Sequence, residues 1–515
     1  MCYQFALQNY ENHFNSHGKG MGVFLFVTIL YYLCDKYLTK TVTIEELSGH
    51  IRTTFGFVPT GEQEWALQTF SRFMFDRDSH AIMILRGCAG TGKTTLASAF
   101  VKTMKKLGQK VVLMAPTGRA AKVFSLNSGC EASTIHRKIY RQKGIMGAFS
   151  LDINLHRNTL FLVDEASMIA NNGYMESVFG SGCLLYDMVQ YVYGGVNCRA
   201  LLIGDKAQLP PVGEEESPAL LASFMQGYGL KVYEADLNEV LRQEQESGIL
   251  YNATAIRQLI THDELTQLPK VRFEGFADVQ MVPGNELIES LTSSYSHVGM
   301  DETMVVTRSN KRANIYNMGI RNMILGREEQ LTSGDMLMVV KNNYYWASKD
   351  EESEKAGIQF LANGDRATVR RLRNVRELYG FTFADVWLQF PDYDDYELQT
   401  TVILDSLLTE APALTQEQSA VLYNKVMEDY ADIPLKTDRL KRLREDPHFN
   451  ALQVKYAYAV TCHKAQGGQW AHIYIDQGYM TDEMLSPDYI HWLYTAFTRA
   501  TEKLFLVNWP KSQIE

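Results

Sequence analysis

Gly87 to Thr94 reads GCAGTGKT, the spacing G-x-x-x-x-G-K-[ST] that lets a backbone turn wrap phosphate oxygens. Gly87, Gly90 and Gly92 leave N–H groups free to face a phosphate. Lys93 supplies positive charge to the β and γ oxygens, and Thr94 offers a hydroxyl to Mg²⁺. Such a cradle binds a nucleoside triphosphate but does not by itself hydrolyse it. FLVDEAS supplies the missing groups: Asp164 ends an apolar run where its carboxylate can hold the cation with Thr94, and Glu165 can orient and polarise the attacking water. LLIGDKAQLPPVG (201–213) again sets polar side chains at the end of an apolar run. Gln208 is there a candidate sensor of the γ-phosphate, followed by Pro210 and Pro211, which stiffen the turn.

These groups need a scaffold, and the surrounding pattern predicts one. AIMILRG (81–87), VVLMAP (111–116), TLFLVDE (159–165) and RALLIGD (199–205) alternate with helical stretches, which predicts a parallel sheet with crossover helices. Each run ends where such sheets carry their ligand loops. A second α/β pattern opens at TMVVTRS (303–309) and resumes with QVKYAYAVT, HIYID, the helical YIHWLYTAFTRA and KLFLVN. From 331 to 450 the composition shifts to short strands around an acidic KDEESEK loop, then FTFADVWLQF, ELQTTVIL and the helix TQEQSAVLYNKVMEDYA. This predicts a small β-rich insertion within the second α/β domain.

Taken in order, the polar blocks resemble those of superfamily 1 helicases of the 5′-to-3′ branch, the RecD-like and Dda-like group, over about residues 57 to 508. Motif I is GCAGTGKTT, motif Ia APTGRAAK, motif Ib STIHR, motif II VDEAS and motif III GDKAQLPPV. LNEVLRQ (237–243) resembles motif IV, AVTCHKAQGGQW (459–470) motif V and YTAFTRA (494–500) motif VI. The resemblance implies two RecA-like P-loop motor domains, with a short insertion in the first and an SH3-like β-rich insertion in the second. The expected divisions are 1–56, an N-terminal helical segment without a functional account; 57–235, the first motor domain; 236–330 and 451–515, the second; and 331–450, the insertion. It implies ATP and Mg²⁺ as cofactors. Gln63 would read adenine, Thr91, Thr95 and Gly467 would add nucleotide contacts, and Arg242 and Arg499 would reach the γ-phosphate from the second domain. Hydrolysis would then depend on domain closure.

Net charge is −10, which argues against a chain that coats nucleic acid through overall basicity. Residues 101–145 nevertheless hold ten basic residues against one acid, Glu131. Around that stretch the resemblance places single-strand contacts at Pro116, Thr117, Arg119, Thr134 and His136, with His463 and Lys464 added from the motif V-like block. Residues 137–158 stand where relatives insert a duplex-splitting pin; they form either a reduced pin with Phe149 as its stacking residue or a plain connection. Two further basic clusters, 366–376 and 436–444, line the channel or face water. No nuclease-like metal cluster stands out. The expected partners are single-stranded DNA and single-strand/duplex junctions, besides any protein partner.

Seven cysteines without a C-x-x-C pair suggest a reducing, cytoplasmic setting rather than a disulfide framework. The apolar run 22–34 is too short to span a bilayer and reads as a buried helix or, alternatively, an anchor or targeting segment. Three functional readings follow: a motor that unwinds duplex, a single-strand translocase without unwinding, and a nucleotide-gated protein-binding switch. The last predicts a guanine-reading N-K-x-D, yet Asn310-Lys311-Arg312-Ala313 lacks the aspartate.

Overall fold

The computed structural model describes residues 42–142, 149–172, 179–240, 247–260, 268–350, 358 and 360–515. The apolar run 22–34 lies outside them. Among the described residues, no helix is long and apolar enough to cross a membrane.

Six strands form the first sheet, in the spatial order Ala132–Thr134, Lys110–Ala115, Thr159–Val163, Arg199–Gly204, Ala81–Gly87, Lys231–Leu237. Every neighbouring pair is parallel. Ala81–Gly87, Thr159–Val163 and Arg199–Gly204 are buried along their whole length, as expected for near-continuous apolar strands covered by helices on both faces. The helix Ile44–Phe55, closed by a Thr43/Glu46 capping box, buries Leu47, Ile51 and Phe55 in the same core as Phe70 and Phe100. The latter two rings stack at 4.0 Å. Residues 44–55 thus pack as part of the first domain, a placement that amphipathic periodicity alone could not assign.

The second sheet runs Ala459–Thr461, Thr303–Thr307, Trp470–Asp476, Ala500–Val507, Val279–Val282, again all parallel. Between its strands lies a closed five-stranded barrel of Met336–Val339, Arg366–Leu378, Phe381–Phe390, Tyr396–Ile403 and Leu452–Tyr456. The expected class, two RecA-like parallel sheets with a β-rich insertion in the second, matches this architecture. The barrel reaches six residues past the expected end of the insertion, because QVKYAYAVT is two strands. Leu452–Tyr456 closes the barrel through Met336–Val339, and three residues later Ala459–Thr461 joins the second sheet. Before the closing strand come the expected helix, observed as Gln416–Glu428 with a Thr415/Gln418 capping box, and a second one, Lys436–Glu445. The latter reads in the sequence only as a basic cluster. Both pack on one end of the barrel through Leu422, Val426 and Leu443 against Phe381 and Phe383.

Candidate active site and nucleic-acid interface

The phosphate loop follows the buried strand Ala81–Gly87 and opens the helix Lys93–Lys106. Gly90 and Gly92 both sit at φ 78°, a left-handed conformation open to glycine at little cost. A Cβ on Gly87 would lie 2.7 Å from Lys93 Cγ. No side chain caps this helix, so its leading N–H groups and its positive dipole end stay available to an anion. Lys93 Nζ donates to Cys88 O at 2.8 Å and Thr91 Oγ1 to the same carbonyl at 2.9 Å, holding the loop wound.

Asp164 follows the buried strand Thr159–Val163, and Glu165 N–H donates to its Oδ1 at 2.9 Å. Burial, and then the neighbouring Glu165, push the Asp164 carboxyl above its usual range. Glu165 is held at φ 52°, a conformation that costs a non-glycine residue about 1–3 kcal/mol and that clusters at functional sites. Gln208 is buried, and its Oε1 has no hydrogen-bond partner among the described residues. A cavity of about 330 Å³ gathers Gly90, Gly92, Lys93, Thr94, Thr95, Asp164, Glu165 and Gln208 from the first domain with Gly467 and Arg499 from the second. The donor set fits a nucleoside triphosphate with Mg²⁺. Thr94 and Asp164 would hold the cation, whose charge would relieve the crowding of two adjacent carboxylates, and the orphaned Gln208 oxygen would accept from a water.

The two domains meet across this cavity. Tyr494, on the second-domain helix Pro487–Phe497, accepts from Ala89 N–H at 2.9 Å and donates to Asp205 Oδ2 at 2.7 Å. Leu209 N–H donates to Thr495 Oγ1 at 2.8 Å, and Gln466 Nε2 donates to Leu209 O at 2.6 Å. Arg499 is 2% exposed and donates to the carbonyls of Thr495 and Gly468 at 3.0 and 3.2 Å. Its guanidinium is parked on neutral acceptors of its own domain, from which a phosphate can draw it. Arg257, on the helix Gly248–Ile260, stands beside Cys88 and Asp205. Tyr494 and Gln466 lie inside the quoted blocks and were legible as polar positions, whereas Arg257 lies in no motif. Arg242 lies outside the described residues.

Gln63 is not on the cavity wall. It is 2% exposed, accepts from Thr60 N–H in a capping box and donates to Thr91 O at 3.0 Å. It thus braces the phosphate loop from behind.

The expected strand contacts divide into two groups. Thr117, Arg119, His463 and Lys464 share a cavity of about 200 Å³ with Arg366 and Trp470. Pro116 is half-buried just ahead of Thr117, which caps the helix Gly118–Ser128. Arg119 is already engaged, 3.5 Å from Glu302 and 3.6 Å from Asp392, with Trp470 beneath it at 5.9 Å. Burial, and then Lys455, lower Lys464 to about 8, and its ammonium donates to Asn363 Oδ1. Thr134, His136 and Phe149 stand elsewhere. Thr134 spends its hydroxyl capping the helix Ile135–Ile139. His136 packs edge-on against Phe179 at 4.8 Å, and burial lowers it to about 4, so it carries no charge for a phosphate near neutral pH.

Phe149 corrects the expectation most directly. Residues 137–158 do contain a two-stranded antiparallel hairpin, Tyr140–Gln142 with Phe149–Leu151, and its tip, with Gly144 and Gly147, lies outside the described residues. Phe149 is 3% exposed, however, and packs against Tyr344 at 4.5 Å, Phe179 at 5.0 Å and Phe360 at 6.1 Å. Its ring ties the hairpin to the inserted segment, leaving no face free to stack on a base.

Two parallel sheets of this kind, with a wound phosphate loop on the first and a cavity lined from both, define a two-domain P-loop fold. A family profile described as an AAA domain matches residues 68–270, and one described as a UvrD-like helicase C-terminal domain matches residues 456–507. The chain is 27% identical over 366 residues to the ATP-dependent RecD2 DNA helicase of Deinococcus radiodurans, covering 67% of this chain and 47% of that one. It is 27% identical over 265 residues to the ATP-dependent DNA helicase dda of Enterobacteria phage T4, covering 50% and 55%. The chain thus spans about half the length of each of these two relatives. A solved Pif1 helicase structure aligns over 89% of this chain and 94% of its own, at 16% identity and a TM-score of 0.45. In sequence the chain is thus similar to ATP-dependent DNA helicases of the RecD2 and dda kind, and it matches both profiles in separate parts of its length.

Proposed function

We propose that the chain is an ATP-dependent motor that moves 5′ to 3′ on single-stranded DNA and separates duplex ahead of it. The observation that carries this reading is the composite cavity. Lys93, Asp164 and Glu165 come from one RecA-like domain and Arg499 from the other, with Tyr494 hydrogen-bonded into the phosphate loop. In such a site ATP and Mg²⁺ bind between the domains. Thr94 and Asp164 hold the cation, Glu165 activates water, and Arg499 stabilises transition-state charge only when the domains close. Each turnover is thereby coupled to relative domain motion. Thr117, Arg119, His463 and Lys464 line the track, beside the same interface. DNA as the polymer follows the relatives, both ATP-dependent DNA helicases by name, and the direction of travel follows the resemblance of the ordered blocks. The five described cysteines are all unpaired, in keeping with action in a reducing cytoplasm.

Strand displacement on matched duplexes tests this reading. Duplexes with a 5′ single-stranded tail are unwound with ATP, and those with only a 3′ tail are not. The reverse preference would refute the assigned direction, and displacement of neither would refute unwinding.

A further inference from the structure

A cavity of about 670 Å³ lies away from the nucleotide, between the barrel and the two helices that precede its last strand. Its size falls within the roughly 300–1,000 Å³ typical of ligand sites. Lys341 and Lys349 come from the segment after the first barrel strand, and Lys441 and Arg444 from the helix Lys436–Glu445. Against these four cations the wall sets one acid, Glu445. Lys441 and Arg444, three apart on one helix, share a face. All four cations are exposed, and none has a carboxylate within ion-pair distance among the described residues.

Aromatic rings are interleaved with the charges. Tyr345 anchors its hydroxyl on Glu445 O at 2.9 Å, with the Lys349 ammonium 4.9 Å from its ring centroid. Tyr423 and Phe449 meet at 6.2 Å on the same wall. The frame is built before any ligand arrives, since Asn343 and the Trp346 indole both donate to Asn450 O at 2.8 Å. Cations alternating with aromatic faces in a concave wall grip phosphates and stack unpaired bases. A helix face that is merely solvated needs no such rings. The cavity also adjoins the motor's track. Asn342, in its wall, accepts from Asn363 N–H at 2.6 Å, and Asn363 in turn accepts from the Lys464 ammonium.

We propose that this cavity is a second single-strand site, carried by the inserted barrel and its helices, which holds unpaired nucleotides continuing from the motor's track. The proposal rests on the single-strand motor reading above. It assigns a role to the helices Gln416–Glu428 and Lys436–Glu445.

The test uses the full chain, a length series of oligothymidylates and the double variant K441E/R444E, whose two sites are exposed. Wild-type affinity should keep rising beyond the strand length at which ATPase stimulation saturates. The variant should lose that gain, binding long strands about tenfold more weakly, while short-strand affinity and stimulated ATPase stay at wild-type values. Each phosphate-neutralising cation on a single strand adds about 0.7 to the log–log salt slope, so removing two should make the variant's slope shallower by about 1.4. Strands carrying 5-iododeoxyuridine should photo-cross-link to Tyr423 or Phe449. Identical length dependence and salt slope in both proteins would overturn the proposal, as would cross-links confined to the motor domains. Competition at this surface by polyglutamate but not by oligothymidylate would overturn it in favour of an acidic protein segment. Failure of the motor reading looks different: wild-type ATPase would then respond to no strand of any length.

Discussion

At the residue scale, the chemistry of the nucleotide site was the most legible part of the chain. A phosphate cradle needs glycines, a lysine and a hydroxyl at fixed spacing, and spacing survives in a one-dimensional string. Lys93→Ala should abolish turnover, and Glu165→Gln should leave ATP bound but unhydrolysed; filter binding of labelled ATP beside phosphate release separates the two, and wild-type rates in either variant would contradict the assignment. Gln63 and His136 show what spacing does not carry. Gln63 has its amide committed to Thr60 and Thr91, and His136, though inside the block STIHR, stands uncharged among aromatic rings. Asp365 had no signal in the sequence. Burial pushes its carboxyl up to about 7, although Ala362 N–H and the Tyr393 hydroxyl donate to it at 2.7 and 2.9 Å. Because the folded pKa is raised above the unfolded value near 3.8, folding favours the protonated form, and the cost of ionisation grows as pH rises from about 4 through about 7. Asp365→Asn, which keeps an acceptor for both donors, should therefore stabilise the protein at pH 8 by roughly 1–3 kcal/mol and by less at pH 5. Denaturant midpoints at the two pH values check this, and an equal or negative effect at pH 8 would contradict it.

At the element scale, strands and helices were read where period and caps were strong, and missed where one run served two structures. Nothing in QVKYAYAVT marks the break at Ala457 and Tyr458 that sends its halves to different sheets; tertiary pairing decides it. The helix Lys436–Glu445 was hidden because ten residues rich in Lys and Arg carry little apolar period beyond Leu440 and Leu443. The hairpin at 140–151 formed, but the alternation that places Phe149 on a strand cannot say which face is covered. The structure covers it with Tyr344 and Phe360 from the inserted segment. Phe149→Ala should thus lower stability by about 3–5 kcal/mol, seen as an earlier thermal transition, and should couple non-additively with Tyr344→Ala in a double-mutant cycle. Wild-type melting with a selective loss of unwinding would instead return Phe149 to the role of a pin.

At the scale of the whole molecule, the order of blocks made two RecA-like domains and an insertion legible, because each block closes a strand whose neighbours are set by topology. What the string could not show is how the domains touch. Tyr494 reaches Ala89 and Asp205 across more than 280 residues of chain, and Arg499 enters a cavity floored by Asp164 and Glu165. The central claim is that hydrolysis belongs to this shared site and is driven by a strand bound beside it. Its most direct test is the steady-state ATPase rate of the full chain, with and without single-stranded DNA, in the wild type and in Arg499→Ala. The account predicts strong, salt-sensitive stimulation of the wild type and a fall of about 10³-fold or more in the variant, with ATP binding retained. A wild-type rate indifferent to DNA, or a variant as fast as the wild type, would contradict it.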